Sequence, residues 1–313
     1  MTARALVTGG TGFIGRHLVS ALRADGWEVV CALRRDLSPA DPKITCVKLD
    51  LADPGAIPSR LKDIGPVDMV FHLGAMRPDP EATSAVPHLI ANGVATMALL
   101  EAAAFLAATG FIYISSLSVL GAPTEGPVSE NHPLAPAHGY ALGKLVGELA
   151  CEMTRAGDRL KVASLRISSP YGPGMADGSV LPRFIARAVA SDDLAWYGSG
   201  ERTQDFVHVD DVVRACLLAG NTDRPGVYNI GSGRSVSMKA LAELAARSVP
   251  DCRSRVGAAE VADPQDAVRW EIDIRNARNH LDYRPGVTLE DGLRDYADVV
   301  RGARRVPPWW DRS

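Results

Sequence analysis

The chain has 313 residues, of which 46% are hydrophobic and 23% are charged, and its formal net charge at pH 7 is -3. This ordinary globular composition suits one large domain, or a domain with a smaller partner, and it excludes the strongly basic surface that nucleic-acid binding requires. We find no apolar run of membrane-spanning length, no signal peptide and no metal-ligand spacing, so we expect neither a membrane nor a metal partner. Five widely spaced cysteines without a Cys-x-x-Cys pair favour reduced thiols and a cytoplasmic location.

The first 120 residues alternate short apolar segments with helical stretches. The apolar segments predict five strands, at Ala5–Thr8, Glu28–Leu33, Ile44–Leu49, Met69–Leu73 and Phe111–Ser115, and the longest helix between them is predicted at Pro87–Ala108. Strands and helices that alternate in this way indicate an α/β fold, in which helices cover both faces of a doubly wound parallel sheet.

Glycines are concentrated in ALVTGGTGFIG, near the start of the chain. Gly9, Gly12 and Gly15 are spaced three residues apart, between the first strand and a helix that begins near Gly12. Glycine lets the backbone approach a pyrophosphate, and a helix N-terminus offers free N–H groups and the positive end of its dipole. A tight turn without a ligand would also need glycine, but the position at the first strand of a repeated strand–helix pattern favours a dinucleotide site. Phe13 and Ile14 belong to this predicted cofactor site.

The residues after the second strand indicate which dinucleotide binds. Arg34 and Arg35 follow Leu33, where an acidic side chain would bind the ribose 2′-hydroxyl of NAD. Two arginines suit a 2′-phosphate, so we predict NADP, with NAD as the alternative if the arginines are solvated and Asp36 binds the ribose. Asp50, after the third strand, either accepts a hydrogen bond from the adenine amino group or caps the next helix.

Tyr140 and Lys144 are four residues apart, so they share one face of a predicted helix. A lysine beside a phenol stabilises the phenolate and lowers the tyrosine pKa. Ser115 and Ser116 end the fifth strand, where a serine hydroxyl can bond the same substrate oxygen. Tyr-x-x-x-Lys alone is a weak signal, but it becomes strong when a glycine turn and a serine strand precede it in this order.

The later part of the chain has a different pattern. We predict a loop at Gly121–Gly139, a helix at Tyr140–Arg155, a strand at Val162–Ile167, loops at Pro170–Gly178 and Val249–Arg269, and an amphipathic helix at Leu289–Arg301. Residues 1–168 are therefore predicted to form a Rossmann-like NAD(P)-binding domain. Residues 169–313 are predicted to form mainly a smaller, interleaved substrate-binding region, from which residues 204–232 return to the first domain.

Together these motifs resemble the extended short-chain dehydrogenases/reductases, in their NAD-dependent epimerase/dehydratase branch. The resemblance covers nearly the whole chain, through TGGTGFIG, FHLGA, ISSLSVLG, YALGK, LRISSPYGPG, QDFVHVDDV and VYNIGSG. It implies that Tyr140 is the acid/base, that Lys144 lowers its pKa and holds the nicotinamide ribose, and that Ser116 polarises the substrate. It adds cofactor contacts from Leu51, Leu73, Ala75 and Asn92. It also implies a homodimer joined through the two long helices, near 87–108 and 137–155.

Three departures from the family pattern lie near the predicted catalytic residues. Leu120 replaces the tyrosine of Val-Tyr-Gly, and Ser169 replaces an asparagine. Leu117 and Ser118 stand where the resembling 4,6-dehydratases carry an Asp-Glu pair. Because neither can replace a carboxylate acid or base, we do not expect sugar dehydration, unless Asp177 or Glu125 supplies the carboxylate.

Two further departures concern the substrate. Gln204 and Asp263 stand where many relatives carry the arginines that hold the diphosphate of a nucleotide sugar. Arg183, Arg202 and Arg269 are candidates to replace those arginines. With Ser118, Ser169 and Gln204, they make up the predicted substrate site.

The motifs predict an NAD(P)-dependent epimerase or ketoreductase that acts on a secondary alcohol or ketone of a sugar, with a nucleotide-linked sugar favoured. One alternative is the same chemistry on a free sugar, a sugar acid or a natural-product ketone. A catalytically silent dinucleotide-binding sensor is another, but it would not need Ser116, Tyr140 and Lys144. The sequence leaves the substrate and the direction of reaction open.

Three smaller features have structural interpretations. We predict His208 as a packed histidine at a strand-to-helix corner, with Asp210 capping the helix. His72 is predicted to pack beneath the cofactor. Trp309 and Trp310 are predicted to cover a domain surface or form a subunit contact rather than bind a ligand.

Overall fold

Seven parallel strands form the central sheet of the computed structural model, which describes residues 2–79, 81–157, 160–176, 178–303 and 309–310. The strands in chain order are β1 (Arg4–Thr8), β2 (Glu28–Leu33), β3 (Ile44–Lys48), β4 (Met69–His72), β5 (Gly110–Ser116), β6 (Lys161–Ile167), β7 (Ser169–Tyr171), β8 (Leu194–Trp196), β9 (Thr203–His208), β10 (Gly226–Ile230), β11 (Ser235–Ser237) and β12 (Val256–Ala258). The helices are α1 (Phe13–Ala24), α2 (Ile57–Leu61), α3 (Val86–Phe105), α4 (Gly139–Arg155), α5 (Val180–Ala190), α6 (Val209–Gly220), α7 (Met238–Ser248), α8 (Arg275–Leu281) and α9 (Leu289–Val300).

The order of the central sheet is β10-β6-β5-β4-β1-β2-β3. From β1 the chain adds β2 and β3 on one side, and then β4, β5, β6 and β10 on the other, so the strand order reverses between β1 and β4. Ligands of such folds bind in the crevice at the carboxyl ends of the strands at this point. Alternate residues of a strand face opposite sides of the sheet. Val7 of β1 accordingly packs with Leu18 of α1, whereas Leu6 packs on the other face with Leu99 of α3. Helices thus cover both faces, as the sequence predicts.

A second core lies in the smaller region. Leu181 and Ile185 of α5 pack there with Leu241 of α7 and Leu293 of α9. A three-stranded sheet (β11-β9-β7) and a two-stranded sheet (β12-β8) accompany these helices. By contrast, β10 pairs with β6 in the central sheet and α6 packs against α1, so this part of the chain lies with the large sheet.

Most predicted elements form within a few residues of their expected bounds, and three expectations are wrong. The predicted loop at 170–178 begins within β7, and the predicted loop at 249–269 contains β12, because both short strands pair with partners distant in sequence. His208, not Asp210, caps α6, since His208 Nδ1 accepts a hydrogen bond from the Asp210 N–H at 3.3 Å.

Helix α3 corrects the expectation that no apolar run of the chain has membrane-spanning length. It has 20 residues with a mean hydropathy of 1.4, which is long and apolar enough to cross a membrane by length and composition. Because 56% of that stretch is buried inside the protein, we interpret it as a core helix. Its Leu89–Val94 segment is a π-helix, a local widening that is frequent at functional sites.

Candidate active site

The glycine turn lies at the crevice where the strand order reverses. Gly9 has φ +70°, and a Cβ atom on it would lie 2.7 Å from the backbone N of Gly74, in the loop after β4. A Cβ atom on Gly15 would lie 2.1 Å from the Gly9 carbonyl oxygen, so α1 packs against the turn at a distance that only glycine permits. The turn therefore presents bare backbone, as a closely approaching ligand requires.

The first turn of α1 completes this cradle. Gly12 is the N-cap and has no side chain to bond the first N–H groups, and no acidic residue lies in the first turn. The N–H groups of Phe13, Ile14 and Gly15 have no hydrogen-bond partner among the described residues. Because such groups at the positive end of a helix dipole attract anions, these residues fit the pyrophosphate of the predicted cofactor.

A buried chain of hydrogen bonds supports the loop after β4. Thr8 Oγ1 lies 2.7 Å from His72 Nδ1 and accepts a hydrogen bond from the Gly74 N–H at 2.9 Å. His72 Nε2 lies 3.0 Å from Thr96 Oγ1, and burial lowers the pKa of His72 well below its usual value, so the ring is neutral. His72 thus joins β1, β4 and α3 beneath the crevice.

The cofactor contacts implied by the resemblance divide into two groups. Leu51 follows β3, and Leu73 and Ala75 follow β4, at the same edge of the sheet as the glycine turn. Asn92 is instead fully buried in α3, where its Oδ1 accepts from the Met76 N–H at 2.7 Å and its Nδ2 donates to the Met76 carbonyl at 3.0 Å. Both polar ends of Asn92 are used to fix the loop after β4.

The two arginines after β2 are both exposed. Arg34 lines a small cleft of about 130 Å³ together with Asp50 and Arg60, whereas Arg35 does not line it. Asp50 Oδ1 accepts a hydrogen bond from the Ala52 N–H at 2.9 Å. The Asp50 carboxylate therefore closes a turn at the rim of this cleft and leaves its second oxygen for a ligand.

Tyr140 and Lys144 share one face of α4, as their spacing predicts. Lys144 is 1% exposed, and its Nζ donates to the Ile114 carbonyl at 2.6 Å and lies 6.0 Å from the centre of the Tyr140 ring. Burial lowers the pKa of Lys144 to about 7. Burial raises the pKa of Tyr140, and a hydrogen bond with Ser116 opposes this rise only in part. In this structure Lys144 Nζ is directed to the Ile114 carbonyl, and the hydrogen bond with Ser116 is the contact that lowers the Tyr140 pKa.

Ser116 lies at the end of β5 and accepts two hydrogen bonds from Ser118. The Ser118 N–H donates to Ser116 Oγ at 3.2 Å, and the Ser118 hydroxyl donates to the same atom at 3.0 Å. A hydroxyl has one proton to donate, so these two bonds leave the Ser116 proton available to Tyr140 or to a substrate oxygen. Ser118, predicted to contact substrate, orients Ser116 in this structure.

A cavity of about 290 Å³, hereafter the first cavity, opens beside Ser116. The predicted substrate residues Ser118, Ser169 and Gln204 line it, and Gln204 Nε2 donates a hydrogen bond to the Ser169 hydroxyl. Glu125 is exposed and does not line the first cavity, and Asp177 lies outside the described residues.

Two ionisable side chains in the first cavity were missed by the sequence analysis. Asp205 accepts hydrogen bonds from three backbone N–H groups of the loop after β10, so it holds that loop. His138 caps α4 by accepting the Ala141 N–H at Nδ1, and its ring stacks on Tyr140 with centroids 6.1 Å apart. Because Nδ1 is an acceptor, Nε2 carries the proton. The sequence could have indicated this role, because His138 lies just before a predicted helix, where a side chain can cap the first N–H groups.

A second cavity, of about 410 Å³, lies in the smaller region. Its lining includes the side chains of Arg183, Arg187 and Arg202 and the ring of Tyr197. Arg202 Nε lies 2.8 Å from a carboxylate oxygen of Asp263, which also lines the cavity. The Arg183 side chain has no hydrogen-bond or ion-pair partner within the described part of the chain.

A smaller cavity of about 240 Å³ lies between these two. It shares Ser169 and Gln204 with the first cavity and Val180 with the second, so the three cavities adjoin, and together they are called the groove below. Arg269 lines none of the three. Its Nη1 donates to the carbonyls of Asp266 and Val268 within its own loop, so this structure does not bring Arg269 together with the other predicted substrate residues.

A buried ion pair lies beneath the catalytic helix and was not predicted. Arg166 of β6 bonds Glu148 of α4, with Nε 3.0 Å from one carboxylate oxygen, and Ser115 donates to the other oxygen at 2.8 Å. Glu148 lies one turn beyond Lys144. Its bonds to Arg166 and Ser115 therefore fix α4 against β6 and β5, and β5 carries Ser116. Among the described residues, no group of His, Cys, Asp or Glu side chains could bind a metal ion.

Comparison with known proteins identifies the family. Residues 5–231 match the model of the NAD dependent epimerase/dehydratase family. The chain belongs to this family. It is therefore an NAD(P)-dependent enzyme of the short-chain dehydrogenase/reductase type, as its motifs predict.

Individual members of this family differ in activity. A UDP-glucose 4-epimerase of Mycolicibacterium smegmatis is 32% identical, over 95% of this chain and 98% of its own length. A dTDP-glucose 4,6-dehydratase of an Actinoplanes species is 30% identical, over 98% of this chain and 99% of its own length. A solved UDP-glucuronic acid 4-epimerase of Bacillus cereus, in complex with UDP-glucuronic acid and NAD, has a TM-score of 0.80 and 26% identity, covering 96% of this chain and 100% of that one.

Proposed function

We propose that this member of the family is an NAD-dependent 4-epimerase of a nucleotide-linked sugar. The observation that carries the proposal is the groove of three adjoining cavities, which begins beside Ser116 and ends in a cavity lined by three arginines. Such a groove suits an elongated substrate with a sugar at one end and an anionic nucleotide at the other. The 4-epimerases among the relatives act on substrates of this shape.

At the sugar end, the proposed chemistry needs one proton carrier and one polarising group. The glycine turn and the start of α1 would hold NAD, which would supply a hydride acceptor for the sugar carbon and a hydride donor to the opposite face of the resulting ketone. Tyr140 takes the proton of the sugar hydroxyl and later gives it back, as a general base and then a general acid. Ser116 donates its remaining proton to the same oxygen. Lys144 lies behind them. Its pKa is about 7, so its side chain can be positively charged or neutral near neutral pH.

The second cavity supplies what a nucleoside diphosphate requires. Arginine binds phosphate oxygens through several donors, and an aromatic ring such as that of Tyr197 can stack on a base. Asp263 neutralises Arg202, and Arg187 donates its Nε to the Asp193 carbonyl at 2.6 Å, so Arg183 is the cation that we assign to the diphosphate.

Dehydration of the sugar is not part of the proposal. It would need a further acid and base near Ser116, yet Asp205 is committed to backbone N–H groups and Leu117 is apolar.

For the cofactor, we propose NAD in place of the NADP that Arg34 and Arg35 predict. The Bacillus cereus 4-epimerase holds NAD. Both arginines are exposed, and Asp36, the alternative ribose ligand, lies beside them in an ion pair with Lys48 at 2.9 Å. An exposed pair of this kind stabilises little, so Asp36 remains available to a ribose.

We further propose a homodimer built on α3 and α4. These two helices pack together and expose large apolar side chains, at Val94, Met97, Phe105, Leu149 and Met153. Met153 is the most exposed of these five, at 76%, and an exposed apolar patch marks a site of protein interaction. Light scattering should give twice the mass of the chain, and Met153→Glu should shift the population toward monomer.

The activity test uses UDP-glucose, UDP-glucuronic acid and dTDP-glucose with the purified protein, followed by mass spectrometry and proton NMR. A product of unchanged mass with an inverted C4 centre supports the proposal. A product lighter by one water contradicts it. Tyr140→Phe serves as the control, since any conversion that survives it does not come from this site.

A further inference from the structure

The sequence predicts that Trp309 covers a domain surface or forms a subunit contact, and the structure places its side chain in the main core, where the residue is 8% exposed. Its indole Nε1 donates a buried hydrogen bond to the Gly10 carbonyl at 2.9 Å. Gly10 is the second glycine of the turn that the cofactor is proposed to approach. Nearly three hundred residues of chain therefore separate the two partners of this bond.

The residues around Trp309 join it to other parts of the same crevice. The Ala40 N–H, in the loop after β2, donates to the Trp309 carbonyl at 3.4 Å. Trp310 packs edge-to-face on Trp309, with ring centroids 5.2 Å apart, and the Arg16 guanidinium of α1 lies 5.6 Å from the centre of the Trp310 ring. The tryptophan pair thus contacts the glycine turn, the loop after β2 and the start of α1.

The hydrogen bond to Gly10 fixes the orientation of one peptide group. A trans peptide is planar, with its carbonyl and its N–H on opposite sides. The indole holds the Gly10 carbonyl toward the core, so the N–H of Thr11 is held on the opposite side of the turn. A carbonyl that is free to rotate would let this glycine-rich segment adopt several conformations, because glycine restricts the backbone least.

We propose that Trp309 is a positioning residue for the cofactor: its indole N–H sets the glycine turn in the conformation that receives the pyrophosphate. This inference rests on the proposed binding of NAD. The alternative is that the ring only fills space, as another aromatic side chain could. The two roles differ in which part of the ligand binds more weakly when the indole N–H is removed.

The test compares Trp309→Phe with the unaltered protein by calorimetry, using ADP-ribose and adenosine as probes. Phenylalanine keeps an aromatic ring but removes the N–H. Trp310→Phe is the matched control, because no hydrogen bond of the Trp310 indole is found among the described residues. A circular-dichroism melt of each variant confirms that the measured protein is folded.

In Trp309→Phe, we expect the dissociation constant of ADP-ribose to rise roughly threefold to tenfold, the range for one hydrogen bond. Adenosine, which lacks the pyrophosphate, should change less than twofold, and Trp310→Phe should leave both ligands unchanged. Equal losses for ADP-ribose and adenosine, or no loss for either, would overturn the role of Trp309 alone. Failure of the unaltered protein to bind ADP-ribose would overturn the proposed cofactor and this inference together.

Discussion

The cofactor crevice at the glycine turn and the substrate groove are built in different ways. The cofactor crevice consists of backbone. A Cβ atom on Gly9 or Gly15 would lie only 2.1–2.7 Å from neighbouring backbone atoms, and the first N–H groups of α1 are uncapped. The substrate end consists of side chains, and two of the three arginines predicted there are paired with a carboxylate or bonded to their own loop. Backbone sites tolerate almost no substitution, whereas side-chain sites can exchange one cation for another. The family can therefore keep one cofactor and vary its substrates.

The largest expected effect on activity is where the cofactor crevice meets the substrate groove. Tyr140→Phe should lower kcat by on the order of 10²–10⁴, the usual contribution of general acid–base catalysis. Cofactor binding should stay intact, because the glycine turn does not depend on the phenol. Steady-state kinetics on the true substrate, with calorimetry for NAD, measures both. A variant that keeps most of its activity would show that another group moves the proton.

Lys144 should make stability depend on pH. Its folded pKa of about 7 lies below the ordinary value of 10.5, so the unfolded chain binds the extra proton between these pH values. Stability from this group therefore rises with pH across that window, by up to about 1.4 kcal/mol per pH unit. The free energy of unfolding of the unaltered protein, minus that of Lys144→Met, should increase from pH 7 to pH 10. A flat difference would mean that Lys144 is not buried as described.

At the substrate end, Arg183→Ala should raise the KM for a nucleotide sugar roughly tenfold, as the loss of a hydrogen bond to a charged group implies. The kcat should change little, since Arg183 lies in the cavity remote from Ser116. Arg269→Ala is the matched control, because its guanidinium bonds its own loop. If Arg269→Ala had the larger effect, the diphosphate would lie outside the second cavity.

The smallest effect is expected at Arg34. If NAD is the cofactor, Arg34→Ala should change the dissociation constant of NAD less than about twofold, as surface charges usually contribute little. Calorimetry with NAD and NADP gives the comparison. Tighter binding of NADP that is lost in Arg34→Ala would restore the original prediction.

The sequence predicts the cofactor end better than the substrate end, for a physical reason. Glycine spacing and a following helix report local backbone geometry, so the places of Gly9, Gly12 and Gly15 in the turn follow from the sequence alone. The partners of Arg202 and Arg269 depend on how distant loops fold together, and no local pattern contains that information. Trp309 is an extreme case, since its partner Gly10 lies at the other end of the sequence.

The position of β10 has a consequence for synthesis of the chain. This strand completes the central sheet beside β6, and the match to the family model ends directly after it, at residue 231. About sixty residues separate β6 from β10. At ribosomal rates their synthesis takes roughly 3–12 s, and during this time the outer edge of β6 has no neighbouring strand. An unpaired strand edge is a template for association with other chains. The nascent protein is therefore most prone to misassociation while the smaller region is being made, and a chaperone that binds extended segments would act in that interval.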